Sequence, residues 1–155
     1  MTVLSAQAIE RRRDMIQPFF ARTRYGGLTF GLGPCGYDIR AEFDSHGEQR
    51  EVLLRKGSFI LASTVEKFRM PRDLVGIVHD KSTWARKGIA VQNTVIEPGW
   101  EGYLTLEISN HGNENVSLYA GVPIAQVLFH MLDEATFCPY DGKYQNQARG
   151  PQDSR

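Results

Sequence analysis

Residues 101–110 read EGYLTLEISN, and their alternation decides the fold class. Leu104, Leu106 and Ile108 take one parity, while Tyr103, Thr105, Glu107 and Ser109 take the other. A period of two marks a strand with one buried face, and it sets Glu107 opposite the aliphatic residues. Working outward, YDIRAEF (37–43), EVLLRKG (51–57), SFILASTVEKF (58–68), LVGIVHD (74–80), IAVQNTVI (89–96), NVSLYA (115–120) and IAQVLFHML (124–132) are equally short and rich in β-branched or aromatic residues. Glycine and proline punctuate them, at Gly47, Gly57, Pro71, Gly88, Pro98-Gly99, Gly112 and Gly121. The pattern predicts an all-β, mainly antiparallel sandwich or barrel. Two stretches break it. SAQAIERRRDM (5–15) reads as a short N-terminal helix with Ser5 as its cap and Ile9 and Met15 as apolar positions, and KSTWARKG (81–88) reads as one helical turn stopped by Gly88.

A chain of 155 residues is one domain's worth, taken here as residues 1–155. Its 18 Lys+Arg balance its 18 Asp+Glu, so no long-range field favours nucleic acid or an anionic membrane, and any anion must be held by a local cluster. No apolar run is long enough to span a bilayer. The two cysteines, Cys35 and Cys138, lie far apart, and the start MTVLSAQAIERRRDM lacks an apolar leader core. The expectation is a soluble cytoplasmic protein without a disulfide framework.

GLGPCG (31–36) matches a glycine-rich dinucleotide pattern, but it is followed by a strand-like segment rather than a helix, so the glycines read as loop chemistry. His46, His79, His111, His130 and the cysteines show no metal-ligand spacing, which leaves no place for zinc. In KSTWAR the Lys81 ammonium, the Ser82 and Thr83 hydroxyls and the first N–H groups of the turn can converge on a phosphate, with Arg86 on the same side as Ser82; the alternative is a solvated turn. Glu107 either faces solvent or lines a cleft, where a carboxylate beside a hydroxyl and an arginine is what a general base needs. The segment from Cys138, CPYDGKYQNQARGPQDSR, is polar and nearly devoid of aliphatics. It is either disordered or a lid ordered by a ligand.

Taken together, GLGPCGYDIRAEF, the run from GSFILAS to EGYLTLEISN, AGVPIAQVLF and GKYQNQARGP resemble the dCTP deaminase family of the dUTPase-like superfamily. The resemblance implies a homotrimer of distorted β-barrels or jelly rolls, with active sites shared between subunits and a flexible C-terminal tail, residues 138–155, ordered by nucleotide. It implies dCTP as substrate, Mg²⁺ arriving on the triphosphate, and no zinc. Residue by residue, it assigns Lys81, Ser82, Thr83, Trp84, Ala85 and Arg86 to nucleotide contacts, with Ser82 and Arg86 also in the chemistry. Thr105, Leu106 and Glu107 match the strand that reads the base and carries the catalytic glutamate. Gln126, Tyr140, Lys143 and Gln147 match further nucleotide contacts, and Glu97, in the IEPGW turn, stands where dUTPases carry the aspartate that activates water. A pyrophosphate-releasing dUTPase or bifunctional enzyme, and a silent nucleotide-binding trimer, are the competing readings.

Overall fold

The computed structural model describes residues 2–92 and 94–154. In chain order the elements are β1 (Thr2–Val3), α1 (Ala6–Glu10), a 3-10 turn (Arg13–Met15), β2 (Ile16–Gln17), β3 (Thr23–Tyr25), β4 (Leu28–Leu32), β5 (Tyr37–Glu42), β6 (Glu51–Leu54) and β7 (Phe59–Arg69), followed by β8 (Leu74–Asp80), α2 (Ser82–Ala85), β9 (Ile89–Val91), β10 (Val95–Ile96), β11 (Glu101–Asn110), β12 (Val116–Tyr119) and β13 (Pro123–Met131). The main sheet runs β10-β8-β13-β5-β7-β11-β9, with antiparallel pairing between the named strands, and a separate ribbon pairs β12 with β6.

β9 and β10 occupy opposite ends of this sheet, yet only residues 92–94 separate them. A link that short spans at most about 14 Å between its flanking strands, so the sheet must curl until its edges nearly meet. A hydrogen bond joins those edges, the Val91 N–H at the end of β9 donating to Asp80 Oδ1 at the end of β8 at 2.7 Å, while the Val78 N–H extends the β8–β10 pairing to the Thr94 carbonyl at 3.1 Å. The single segment IAVQNTVI thus supplies two strands, one to each edge, and Asn93 between them lies outside the described residues.

The aliphatic parity of β11 turns inward as its alternation predicts, with Leu106 and Ile108 buried beside Ile39 and Ala41 of β5, Phe68 of β7 and Val127 and Phe129 of β13. Among the described residues one carboxylate is wholly enclosed in this interior. Glu66 is 0% exposed and accepts hydrogen bonds from Arg40 Nε at 2.8 Å and the Arg40 N–H at 3.0 Å, which pins β5 to β7. The Arg40 guanidinium lies 4.9 and 4.6 Å from the Phe20 and Phe30 ring centres. Even with that partner, burial pushes the Glu66 carboxyl up.

The N-terminal helix is shorter than the expected residues 5–15. Ile9 and Met15 are both buried, and six residues apart they cannot share one helical face, so the chain leaves the α conformation after Glu10. Ser5 does sit at the cap, but through its carbonyl, which accepts the Ala8 and Ile9 N–H groups at 3.0 Å. The turn at Ser82–Ala85 ends as expected at Gly88, whose φ is +79°.

Candidate active site

A cavity of about 510 Å³ opens where β11 faces the β9–β10 link. Its floor is the polar parity of β11, Thr105 and Glu107, together with Phe59 and Leu61 of β7, whose register sets Leu61 opposite Glu107. Leu104, expected on the aliphatic face, packs on the core edge and also lines the cavity. The β7–β11 register breaks between Tyr103 and Thr105, and the Leu104 N–H bonds Thr64 Oγ1 at 2.9 Å instead of a ladder carbonyl. The wall comprises Thr94, Val95, Glu97 and Trp100.

The roof is the C-terminal segment, through Tyr140, Tyr144, Gln147, Gln152, Asp153 and Ser154. Apart from Tyr140, which packs on the core edge, it is held mainly by polar bonds, as a segment nearly devoid of aliphatics must be. The Trp100 indole N–H donates to the Tyr144 carbonyl at 2.8 Å, the Glu101 N–H to Gln145 Oε1 at 2.8 Å, and the Tyr103 N–H to the Gln147 carbonyl at 3.0 Å. Gln147 Nε2 reaches back to the Tyr103 carbonyl at 2.9 Å and Thr105 Oγ1 at 2.6 Å.

Glu107 Oε2 and Thr94 Oγ1, both on cavity residues, are buried without a hydrogen-bond partner. A buried acceptor left unpaired costs about 1–3 kcal/mol, so such atoms are commonly explained by a ligand, a water or catalysis. Burial pushes the Glu107 carboxyl up, against a smaller opposing contribution from its own N–H. Among the described residues the cavity lining holds three carboxylates, Glu97, Glu107 and Asp153, and no lysine or arginine.

Of the residues singled out from the sequence, the structure brings Glu97, Thr105, Glu107, Tyr140 and Gln147 to this cavity. The others lie elsewhere in the same chain. Lys81 donates to Asp38 Oδ2 at 2.5 Å, and Gln126 Nε2 bonds Asp38 Oδ1 at 3.0 Å, so both side chains are committed to a carboxylate that is 6% exposed. The Trp84 and Leu106 side chains belong to the core, and the Trp84 indole N–H donates to the Pro123 carbonyl at 2.7 Å. Ser82, Thr83, Ala85 and Arg86 are exposed, and Lys143 is exposed with its ammonium 5.0 Å from the centre of the Tyr144 ring. Sequence reasoning missed Phe59, Leu61, Trp100, Gln152, Asp153 and Ser154 as lining residues. Phe59 and Leu61 were within reach, because they share the parity of Glu107 across the β7–β11 pair.

This half-barrel with a roofed cavity is the fold of the dUTPases and dCTP deaminases. It superposes on a 2'-deoxycytidine 5'-triphosphate deaminase from Agrobacterium tumefaciens with a TM-score of 0.65 at 18% identity, over 84% of this chain and 48% of that one. A dUTPase from phage phi11 of S. aureus gives 0.57 at 15% identity, over 81% and 92%. Within that class the sequence is specific: residues 37–132 match the family model described as dCTP deaminase-like. Identity to a dCTP deaminase of Roseiflexus castenholzii is 41%, over 91% of each chain. To that of Acidobacterium capsulatum it is 38%, over 87% of this chain and 88% of the relative. The chain belongs to the dCTP deaminase family.

Proposed function

We propose that the protein hydrolytically deaminates dCTP to dUTP and ammonia. The carrying observation is Glu107, a half-buried carboxylate with a raised pKa and one buried, unpaired oxygen in the cavity. Raised basicity suits a group that must take a proton from water. Glu107 accepts that proton as the water oxygen bonds to C4 of cytosine, then delivers it to N3. The C4 hydroxyl proton passes to the amino group, the C4–N4 bond breaks, and ammonia leaves the uracil ring. Thr94 Oγ1 and the adjoining backbone hold the attacking water.

The triphosphate is the harder part. A polyanion cannot settle against Glu97, Glu107 and Asp153 unless cations come from outside the lining. Mg²⁺ on the substrate supplies some of that charge. Among the described residues no three His, Cys, Asp or Glu side chains cluster to hold a metal, and in this proposal the ion is carried by the nucleotide's phosphates. The rest comes from a second copy of the chain. Val95 of β10 is 54% exposed, sits in register with Ile77 of β8, and Ile77 pairs with Leu128 of β13, which makes an apolar row on one sheet face. Val95 is also a cavity residue, and β8 runs directly into Lys81–Arg86. A homotrimer packed through this face sets the Ser82 and Arg86 of one subunit against the Glu107 cavity of the next. Arg86 then orients Glu107 and stabilises the tetrahedral intermediate.

No described helix is long and apolar enough to cross a membrane, and a cytoplasmic location is part of the proposal. The test is to incubate the protein with dCTP and Mg²⁺ and resolve dUTP, dUMP, ammonia and pyrophosphate. Ammonia with dUTP is expected. Pyrophosphate and dUMP from dCTP would replace this reading with the bifunctional one, and no turnover would favour a binding protein.

A further inference from the structure

We infer that Glu42 and Arg149 form a clasp that sets the position of the roof over the cavity, and that Glu42 is a positioning residue for catalysis although it lies outside the cavity. The inference rests on the deaminase reading for its kinetic part only.

Glu42 ends β5 and is 6% exposed. It accepts two charge-assisted hydrogen bonds from one guanidinium, Arg149 Nε to Oε2 and Nη2 to Oε1, both at 2.6 Å. Side-on pairing of this kind fixes orientation as well as distance. Glu42 draws the Arg149 pKa upward, as a close pairing does.

The clasp is the outer end of a row that crosses three strands. Glu42 of β5 lies opposite Ser63 of β7, and Ser63 lies opposite Thr105 of β11. The C-terminal segment steps along the same row. Arg149 takes Glu42, the Gly150 N–H donates to Ser63 Oγ at 3.2 Å, and the Gln152 N–H donates to Thr105 Oγ1 at 3.2 Å. Thr105 also takes Gln147 Nε2, so residues on both sides of Arg149 converge on one cavity hydroxyl. A Cβ on Gly150 would lie 2.9 Å from the Ser45 backbone, so the segment is threaded tightly between the sheet and the β5–β6 loop. Asp44 stiffens that loop by accepting N–H groups from His46, Glu48 and Gln49.

Beyond this row the chain contributes Asp153 and Ser154 to the cavity lining. Their backbone therefore hangs from the clasp at one end. The two bonds to Ser63 and Thr105 are neutral and polar, and only the Glu42–Arg149 contact pairs charges at low exposure on the Glu42 side. It is the strongest single tie in the row.

The test is hydrogen exchange plus steady-state kinetics on the full chain with Glu42→Gln, Arg149→Ala and the double variant. Glu42→Gln keeps the shape and removes the charge. The expected result is at least tenfold faster amide exchange across residues 145–154 and at Glu101 and Tyr103, whose N–H groups bond that segment, with exchange in β5, β7 and the rest of β11 unchanged. KM for dCTP should rise about tenfold in each single variant, kcat should change less than threefold, and the double variant should be no worse than the poorer single one. Wild-type exchange in the tail of Glu42→Gln would overturn the clasp whatever the enzyme's activity, as would KM effects that multiply in the double variant. Absence of ammonia release by the wild type would overturn the deaminase reading instead, leaving the exchange result to stand by itself.

Discussion

Glu107 pays for its function in stability. Its folded pKa is raised, so the folded state favours the protonated carboxyl: below the ordinary glutamate pKa of about 4.3 the group costs nothing extra, and the burden grows as pH rises through its folded value. Glu107→Gln is therefore expected to melt higher than wild type at pH 8, by a margin that vanishes near pH 4; equal melting points at both values would mean that burial does not perturb the group. In the same variant turnover should fall by roughly 10²–10⁴, while dCTP affinity stays within about tenfold, a change of at most about 1.4 kcal/mol. The wild-type kcat/KM profile should lose activity on the acid side with an apparent pKa above the ordinary glutamate value. Thr94→Val makes the same trade at the other unpaired atom. Its lost hydroxyl should cost roughly tenfold in kcat or more and leave the apo protein as stable or more so, because an unsatisfied buried oxygen is removed; unchanged kcat would separate Thr94 from the water. Glu107 was legible in the sequence because its parity in β11 opposes the aliphatic face. The unpaired Thr94 hydroxyl was not, since whether a hydroxyl is paired depends on the opposite edge of the sheet, far away along the chain.

The strands of four residues or more declared themselves by their period except β4, Leu28–Leu32; β3 is too short for a period of two to register, and IAVQNTVI, read as one strand piece, divides into β9 and β10. The break in register that turns Leu104 toward the cavity lies in the pairing of two distant strands, so β11 alone carries no trace of it. The C-terminal segment is the clearest case. Its composition excluded an apolar core of its own, which was correct, but several of its ties use backbone groups of β11, and backbone partners leave no mark on side-chain identity. Those ties have a measurable consequence. Deleting residues 139–155 uncovers the Trp100 indole N–H and the Glu101 and Tyr103 N–H groups and strips Glu42 of its arginine. At about 0.5–1.5 kcal/mol per hydrogen bond the truncated protein should melt several degrees lower, besides showing a KM raised by tenfold or more. A melting point identical to that of the full chain would show that the segment leaves the sheet in solution before any ligand arrives.

At the scale of the whole molecule, the sequence placed Lys81–Arg86 and Glu107 in one site, and the folded chain puts the exposed Ser82 and Arg86 outside the cavity that Glu107 lines. Under the proposed trimer the two are reconciled, because a second copy completes the site. That requirement separates the trimeric enzyme from a monomeric one by arithmetic. Glu107→Gln and Arg86→Ala should each abolish most activity as pure assemblies. Co-expressed with different affinity tags and purified as hybrids, they should regain it, because an intact site needs its glutamate from an Arg86→Ala subunit and its arginine from a neighbouring Glu107→Gln subunit. With random, equal incorporation about one site in four meets both conditions, so about a quarter of wild-type turnover should return across the unfractionated mixture. If glutamate and arginine instead served the same site from within one chain, every chain would carry one lesion, no combination of subunits could restore a site, and the mixture would stay as inactive as its components.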